Sequence, residues 1–396
     1  MKIAIASIFD PWDPASWSGC SRNLLRALVD DYGATPIALG PIAKPSLLQD
    51  RVLAQVSHWR GRSYIAELTE PGLRYFAART AEKLDGLDCD CVLALDGLTI
   101  AYLETDLPIY YFWDCTFEGN LEYPWFAKLT APCLAAGHVM ERNAIRNAAM
   151  SFYSSQWAVD SAIRSYGADP SRTKIVPLAA NIDGERTLAE VESLILNRST
   201  ETVQLLFLGI DWLRKGGDLA LAVVKELNAR GTPAVLHVVG CAPQPASDIP
   251  DFVRLHGFLD KGKPAELAQL QTLIGSAHFL IVPSLAEAFG AVFAEASSFG
   301  TPSLARRVGG VDSVVAEGIN GHLFDRHASA AVYCETIEGL WSDPERYRAL
   351  ARSSFRHFRD HLTWTCSAGK LLGYITDDLR SKRSSEFTHD SAPADT

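Results

Sequence analysis

Short apolar runs rich in β-branched residues alternate along the chain with longer stretches of helical periodicity. In the first half, strands are predicted at 2–8, 35–39, 91–95, 108–113 and 150–155, and helices near 20–30, 71–84, 122–147 and 156–166. In the second half, strands are predicted at 203–209, 234–240, 252–258, 278–284 and 301–305, and helices near 217–229, 263–275, 290–299, 311–316 and 328–341. Strands that alternate with helices indicate parallel sheets joined by crossover helices.

The restart of the strand series near residue 203 predicts two doubly wound α/β domains rather than one large sheet. A chain of 396 residues, 47% of them hydrophobic, is long enough for two cores of ordinary size. We predict an N-terminal domain at 1–183 and a C-terminal domain at 184–363. A helix at 364–380 is expected to pack back on the first domain, and the polar tail 381–396 is expected to be disordered.

The overall charge argues against one class of binding partner. A formal net charge of −10 argues against a protein that binds duplex nucleic acid, since such proteins carry a basic face. No apolar run has the length of a membrane span, and the N-terminal stretch is typical of a first strand rather than a signal peptide. Eight scattered cysteines without a C-x-x-C pair favour reduced, mostly buried thiols and a cytoplasmic protein.

Two carboxylates eight residues apart flank the predicted start of a helix in the stretch PSLAEAFGAVFAEASSFG. Glu287 lies in the loop after a buried strand, and Glu295 lies within the helix that Gly290 opens. The backbone amides from Phe289 to Ala291 would face an anion, with one acid on either side to bind hydroxyl groups. A nucleoside diphosphate linked to a sugar has this layout. The alternative is that Glu287 stabilises the helix start electrostatically and Glu295 lies on a solvated face.

On these residues the stretch resembles the E-x7-E signature of the family-4 retaining glycosyltransferases, which have the two-domain GT-B fold. Three further segments are similar to that family: FLGIDWLRKGGDLAL at 207–221, the interdomain stretch 152–183 and the glycine-rich turn 309–324. The loop into the first helix, at 10–28, also resembles the family. The similarity covers most of residues 1–380.

The resemblance implies a role for several polar side chains that follow predicted strands. Arg214 and Lys215 would neutralise the diphosphate, although a basic turn at a helix start is the ordinary interpretation of such a pair. Glu287 would hold the hydroxyls of the donor sugar, and Asp114 would contact the far side of that sugar. A loop-capping role is the alternative for Asp114.

The remaining candidate binding residues would act mainly through backbone amides and shape. They are Ser18 and Gly19 after the first strand, and Gly240, Phe258 and Leu259 after later strands, where the family holds the base and ribose. Two positions depart from the family. Ile210 stands where many relatives have arginine, and Asp312–Ser313 stands where they usually have Pro-Glu.

The resemblance implies a hexosyltransferase that needs no metal and no cofactor besides its nucleotide-diphosphate sugar donor. The acceptor would be a hydroxyl of a glycan, a lipid-linked molecule or a small molecule, and nucleic acid is not expected as a partner. The alternatives are a nucleotide-sugar 2-epimerase and a non-catalytic nucleotide-sugar-binding protein. We expect a cytoplasmic location that allows peripheral association with the inner face of the membrane. The basic-aromatic stretch HWRGR at 58–62 is interpreted as a charged surface loop, with contact to an anionic membrane as the alternative.

Overall fold

The computed structural model describes residues 1–44, 48–124, 126, 128–182, 184, 186–243 and 249–389. The first half of the chain forms a six-stranded parallel sheet in the order β2-β1-β3-β4-β5-β6. Its strands are β1 Lys2–Ala6, β2 Thr35–Ala38, β3 Cys91–Ala94, β4 Ile109–Trp113, β5 Met150–Tyr153 and β6 Thr173–Ile175. Its helices are α1 Cys20–Asp30, α2 Leu48–Trp59, α3 Glu70–Leu84, α4 Phe117–Asn120, α5 Ala131–Asn147 and α6 Gln156–Tyr166.

The second half forms another six-stranded parallel sheet, in the order β12-β11-β10-β7-β8-β9. Its strands are β7 Val203–Leu208, β8 Ala234–Val239, β9 Val253–Leu255, β10 Phe279–Val282, β11 Ser303–Arg306 and β12 Gly321–Phe324. The helices are α7 Leu188–Leu196, α8 Gly217–Ala229, α9 Pro264–Ser276, α10 Ala291–Ser297, α11 Ala330–Trp341, α12 Pro344–His361 and α13 Trp364–His389. The prediction of two doubly wound α/β halves is confirmed.

Each sheet reverses its strand order at one place. In the first sheet the chain progresses in opposite directions from β1 and β3, and in the second from β7 and β10. In open α/β sheets such reversals leave a crevice beyond the carboxyl ends of the two strands, where ligands bind. The topology therefore predicts a ligand site at the loops after β1, β7 and β10.

The structure corrects several predicted elements. The helix predicted at 122–147 is wrong in its first part, because the helix begins only at Ala131, where Thr130 and Pro132 form its start. The helix predicted at 311–316 is a short 3-10 turn at Val311–Ser313. The sequence analysis missed two short edge strands, β6 and β12, and three helices, α2, α4 and α7.

The final helix, α13, returns to the first half of the molecule and packs along α1. Tyr32 donates a hydrogen bond to the carbonyl of Thr365 (2.9 Å), and Tyr110 donates one to Asp378 (2.8 Å). The division of the chain at residue 183 stays a prediction. The expected disordered tail was placed at 381–396, but α13 continues to His389, and residues 390–396 lie outside the described residues.

All eight cysteines are free thiols, and five of them are buried, as the sequence predicted. The buried ones are Cys20, Cys91, Cys115, Cys133 and Cys334. Among the described helices, none combines the length and the hydropathy that crossing a bilayer requires.

Candidate active site

The turn after β7 carries the two predicted cations. Arg214 and Lys215 are both buried, although each carries a charge. Gly216 ends the turn in a left-handed conformation (φ 77°) and starts α8. Because β7 lies beside β10 in the sheet, this turn faces the loop after β10. Burying two cations requires a nearby acid, since an unpaired charge is costly to remove from water.

That acid is Glu287, in the loop after β10. Lys215 Nζ forms an ion pair with Glu287 Oε2, and Arg214 Nη1 lies 3.6 Å from the same oxygen. Ser284 Oγ donates a third contact at 3.2 Å. Burial opposes ionisation of Glu287, but the charges of Lys215 and Arg214 outweigh it, so the pKa of this carboxyl lies below its ordinary value. Glu287 is therefore an anion held between two cations.

The glycine-rich turn after β11 fixes the backbone of Glu287. The Gly310 N–H donates to the Glu287 carbonyl at 3.1 Å. Gly309 has a left-handed φ of 53°, and a Cβ there would collide with the same carbonyl oxygen. Ser313, at one of the two positions that depart from the family, accepts a hydrogen bond from the Gln156 N–H (3.3 Å). The turn thus positions Glu287 and also touches the first half of the molecule.

The second acid, Glu295, lies on α10 with only 2% of its surface exposed. Its carboxylate pairs with Lys261, an exposed lysine from the loop after β9. Gly290 starts the helix with a φ of 92°, and a Cβ there would lie 2.7 Å from the ring of Phe293. Phe289 is buried in the core, so only its backbone is available to a ligand, and Ala291 beside it is partly accessible.

Asp114 follows β4 and faces the second half of the molecule. The Cys115 N–H donates to Asp114 Oδ1 at 2.8 Å. Burial raises the pKa of Asp114 to about 6, and the negative charge of Glu287 adds to the shift. Asp114 and Glu287, one from each half, are therefore close enough for their charges to interact. Burial raises the pKa of the Cys20 thiol at the start of α1, and the charges of Glu295 and Lys261 also influence this pKa.

The turn between β1 and α1 has an unusual backbone. Trp17, Ser18 and Gly19 have successive φ angles of 45°, 55° and 87°, and the first two are not glycines. Such residues persist only where their surroundings hold them. The Trp17 ring stacks on Trp113 at 4.6 Å, and Asn181 Nδ2 donates to the Ser18 carbonyl at 3.0 Å. Both predicted residues of this turn therefore lie at the switch point of the first sheet.

Tyr123 links the two halves of the molecule directly. Its hydroxyl accepts a hydrogen bond from the Ala288 N–H at 2.8 Å, one residue after Glu287. The guanidinium of Arg214 lies over the Tyr123 ring, 5.1 Å from its centre. A contact of this kind stabilises a cation where water is scarce. The loop after β4 thus closes over the charged cluster.

The residues predicted to hold base and ribose occupy the loops after β8 and β9. The Gly240 N–H donates to the Gly257 carbonyl at 2.8 Å, which ties the two loops together. Phe258 is 68% exposed, whereas the Leu259 side chain is buried in the core and can offer only its backbone. Sequence reasoning missed Lys261, Tyr123 and Asn181. Lys261 could have been found from its position after a strand, because the loops after parallel strands lie at the same carboxyl end of the sheet as Glu287.

The family model described as Glycosyl transferases group 1 matches residues 192–357, which is less than half of the chain. The chain is 28% identical over 269 residues to D-inositol 3-phosphate glycosyltransferase of Corynebacterium glutamicum, an alignment that covers 64% of this chain. It spans 63% of the length of that relative.

Solved structures of similar fold cover nearly the whole chain. Sucrose-phosphate synthase from Thermosynechococcus elongatus superposes with a TM-score of 0.68 at 18% identity, over 96% of this chain and 100% of that one. Anabaena HepE in complex with UDP-glucose superposes with a TM-score of 0.59 at 15% identity, over 95% and 100% of the two chains. At these identities the likeness concerns the fold. The chain thus has the GT-B fold of these glycosyltransferases, and its second half matches the group 1 glycosyl transferases.

Proposed function

We propose that the protein is a retaining glycosyltransferase that moves a hexosyl unit from a nucleotide-diphosphate sugar to a hydroxyl acceptor. The observation that carries the proposal is the cluster of Arg214, Lys215 and Glu287 at the switch point of the second sheet. The family match of residues 192–357 and the likeness to structures that hold UDP or UDP-glucose support the same class of donor.

In this structure Glu287 pairs with both cations, and Asp211 Oδ2 lies 3.8 Å from Arg214 Nε. A donor diphosphate brings competing negative charge to Arg214 and Lys215, and we propose that the two cations turn from Glu287 to the phosphate oxygens. The Glu287 carboxylate then becomes available to accept hydrogen bonds from sugar hydroxyls. The exchange keeps both cations paired with negative charge, and hydrogen bonds from the sugar hydroxyls replace the cations at the Glu287 carboxylate.

The reaction needs stabilisation of the charge that develops on the β-phosphate. The bond from C1 to the phosphate oxygen breaks, the acceptor oxygen bonds to C1, and the acceptor proton passes to a phosphate oxygen of the departing nucleotide. With attack from the leaving-group face, the anomeric configuration is retained. Arg214 and Lys215 supply fixed positive charge where it is needed, each worth on the order of 3 kcal/mol of barrier. No metal or further cofactor is required in this scheme.

The other candidate residues surround this centre. Asp114 would contact the donor sugar from the first half, and Glu295 with Lys261 would hold the ribose. Gly290 and Ala291 would approach the phosphates through their backbone, assisted by Phe289. Gly240, Phe258 and Leu259 would enclose the base, while Ser18 and Gly19 would face the acceptor. These assignments are consistent with the side of the two sheets on which the residues lie.

We propose a glycan or lipid-linked acceptor and a cytoplasmic location at the inner face of the membrane. The test is incubation with a panel of labelled nucleotide sugars, preceded by a thermal-shift screen with the same panel. The proposal predicts free nucleotide with glycoside, or slow hydrolysis without acceptor. An epimerised nucleotide sugar would favour a 2-epimerase instead. Donor binding without any turnover, tested with glycan and lipid-linked acceptors, would favour a binding protein.

A further inference from the structure

Helix α2 carries its apolar side chains on the outside. Val52, Val56 and Trp59 are spaced i, i+4 and i+7, so they form one line on the helix, which we call the outer stripe. Val52 is 55% exposed and Trp59 is 77% exposed, Val56 between them is partly buried, and Leu53 beside them is also exposed. A surface helix of a globular protein normally places such a stripe against the core.

The opposite side of α2, which faces the protein, is small and polar. Asp50, Ala54 and Ser57 are all partly buried. Asp50 accepts a hydrogen bond from the Tyr64 hydroxyl at 2.8 Å, which fixes this polar side against the following segment. The helix is therefore oriented with its polar side inward by a specific contact, and the outer stripe is presented to whatever lies outside.

The charge around the outer stripe has the opposite sign to the charge of the whole chain. Arg51, Arg60 and Arg62 are exposed, and the stretch 51–62 contains no acidic residue. The 396-residue chain carries a formal charge of −10. A local cluster of three arginines beside a tryptophan and aliphatic residues matches a surface that is apolar within and negatively charged outside.

The segment after α2 connects this surface to the candidate active site. The Ser63 N–H donates to the Lys128 carbonyl at 2.7 Å, and the Thr130 N–H donates to the Ser63 carbonyl at 3.0 Å. The loop that ends there begins near Tyr123, which contacts Ala288 beside the charged cluster. The segment that directly follows α2 is therefore hydrogen-bonded to the rim of the cleft on the first half of the molecule.

We propose that the outer stripe and its arginines form a docking surface for an anionic lipid bilayer. The apolar side chains would enter the interfacial region, where tryptophan is favoured, and the arginines would contact lipid phosphates. A second copy of the chain fits less well, because a two-fold interface on this stripe would bring two sets of three arginines together. The docking stands on α2 alone; that it presents a lipid-linked acceptor to the cleft rests on the proposed function.

Vesicle cosedimentation tests the docking with the full-length protein. We expect it to pellet with phosphatidylcholine vesicles that contain phosphatidylglycerol, and not with pure phosphatidylcholine. The double variant Val52→Ser/Trp59→Ala should lower the partition coefficient about 10-fold. The double variant Arg60→Gln/Arg62→Gln should weaken binding and reduce its dependence on salt. Leu196→Ser, an equally exposed apolar residue at the end of α7, and Arg164→Gln should bind like the wild type.

Three results would overturn the docking surface. They are no pelleting of the wild type with anionic vesicles, wild-type binding by the α2 variants, and a dimer in light scattering that the Val52→Ser/Trp59→Ala variant dissociates. A UDP thermal shift and circular dichroism on every variant verify folding. If UDP still raises the melting temperature but the protein does not bind vesicles, only the docking surface is contradicted. If the protein binds vesicles but no nucleotide sugar raises its melting temperature, only the proposed reaction is contradicted.

Discussion

The two switch points of this molecule are built from different forces. At the reversal in the second sheet, Arg214, Lys215 and Glu287 form a buried cluster of full charges. At the reversal in the first sheet, the turn from Trp17 to Gly19 is held by ring stacking, by a hydrogen bond from the Asn181 amide and by a bond between the Trp17 side chain and Asp114. The first kind of site can exchange one charged partner for another, while the second keeps a fixed shape.

This difference suggests a division of labour between the halves. A buried cation that already has an anionic partner can accept a diphosphate in its place without a new desolvation cost for the cation. A turn with left-handed non-glycine residues stores strain and gains nothing from movement, so it is suited to shaping a cleft wall. The second half would then respond to the donor, and the first would define the space for the sugar and acceptor.

The largest effect on the comparison between the two switch points is expected from a substitution at Lys215. Lys215→Ala removes a cation that the proposed transition state needs, so turnover with a competent donor should fall about 100- to 1000-fold. Donor affinity should fall much less, because Arg214 remains. Steady-state kinetics measures the first and calorimetry the second. Lys225→Ala, an exposed lysine on α8, is the matched control and should leave both unchanged. Wild-type turnover in Lys215→Ala would remove the charged cluster from the mechanism.

A smaller effect is expected at the other acid of the second half. Glu295→Ala should weaken UDP binding about 10-fold, as expected from the loss of a charged hydrogen bond to the ribose. Turnover at saturating donor should change little, since Glu295 lies away from the breaking bond. Isothermal titration with UDP measures the affinity, and Glu335→Ala on the exposed face of α11 is the control. Equal affinity for UDP in Glu295→Ala and wild type would contradict the ribose assignment.

The rigidity of the first switch point depends on Asn181. Its side chain donates to the Ser18 carbonyl and accepts from Asn23 (3.1 Å) and from the Trp364 indole (3.0 Å). Asn181→Ala leaves several of these buried groups unsatisfied and should lower the free energy of unfolding by about 1–3 kcal/mol. Urea denaturation measures the loss.

The control for this substitution is Asn197→Ala, an exposed asparagine whose side chain hydrogen-bonds Ser193 of its own helix. It should change the unfolding free energy by less than about 0.5 kcal/mol. If Asn181→Ala proves as mild as Asn197→Ala, the turn at Trp17 to Gly19 is not held by this side chain, and the contrast between the two switch points loses its support.

An effect of similar size concerns Asp114 and pH. Its pKa is raised from 3.8 to about 6, chiefly by burial, so the folded state binds the proton more tightly than the unfolded state. The stability that this carboxyl contributes is present below pH 3.8 and is lost as pH rises through about 6. Asp114→Asn should therefore stabilise the protein relative to wild type by about 1–3 kcal/mol at pH 7.5, and by much less at pH 4.

The measurement for Asp114 is the difference in unfolding free energy between variant and wild type at the two pH values. Using the difference removes the contributions of Asp96 and Glu141, whose pKa values burial also raises, to about 6 and about 7. A stabilisation of the same size at both pH values would mean that Asp114 does not titrate in this range.

The sequence predicted the architecture and the charged loops because both depend on local patterns. Buried parallel strands are continuous apolar runs, and the acids and basic residues follow those strands directly. The strands that were missed, β6 and β12, are short edge strands with polar residues, which give no such run. Helix α2 was missed although Val52, Val56 and Trp59 have helical spacing.

The partners within the candidate site could not be predicted from the sequence. Lys215 and Glu287 are separated by 72 positions, and only the adjacency of β7 and β10 brings them together. Lys261 follows the third strand of its sheet, and nothing in the local pattern relates it to Glu295 on α10. Asn181 lies in the stretch between the two sheets, where its contacts with Ser18 and Trp364 depend on the return of α13.

The most direct test of the account is a crystal structure with a non-transferable phosphonate analogue of the preferred donor. The account predicts that Lys215 Nζ and the Arg214 guanidinium contact oxygens of the diphosphate, and that the Glu287 carboxylate has left Lys215 to accept hydrogen bonds from the sugar. A bound analogue with its diphosphate elsewhere, and with the pair of Lys215 and Glu287 intact, would contradict it.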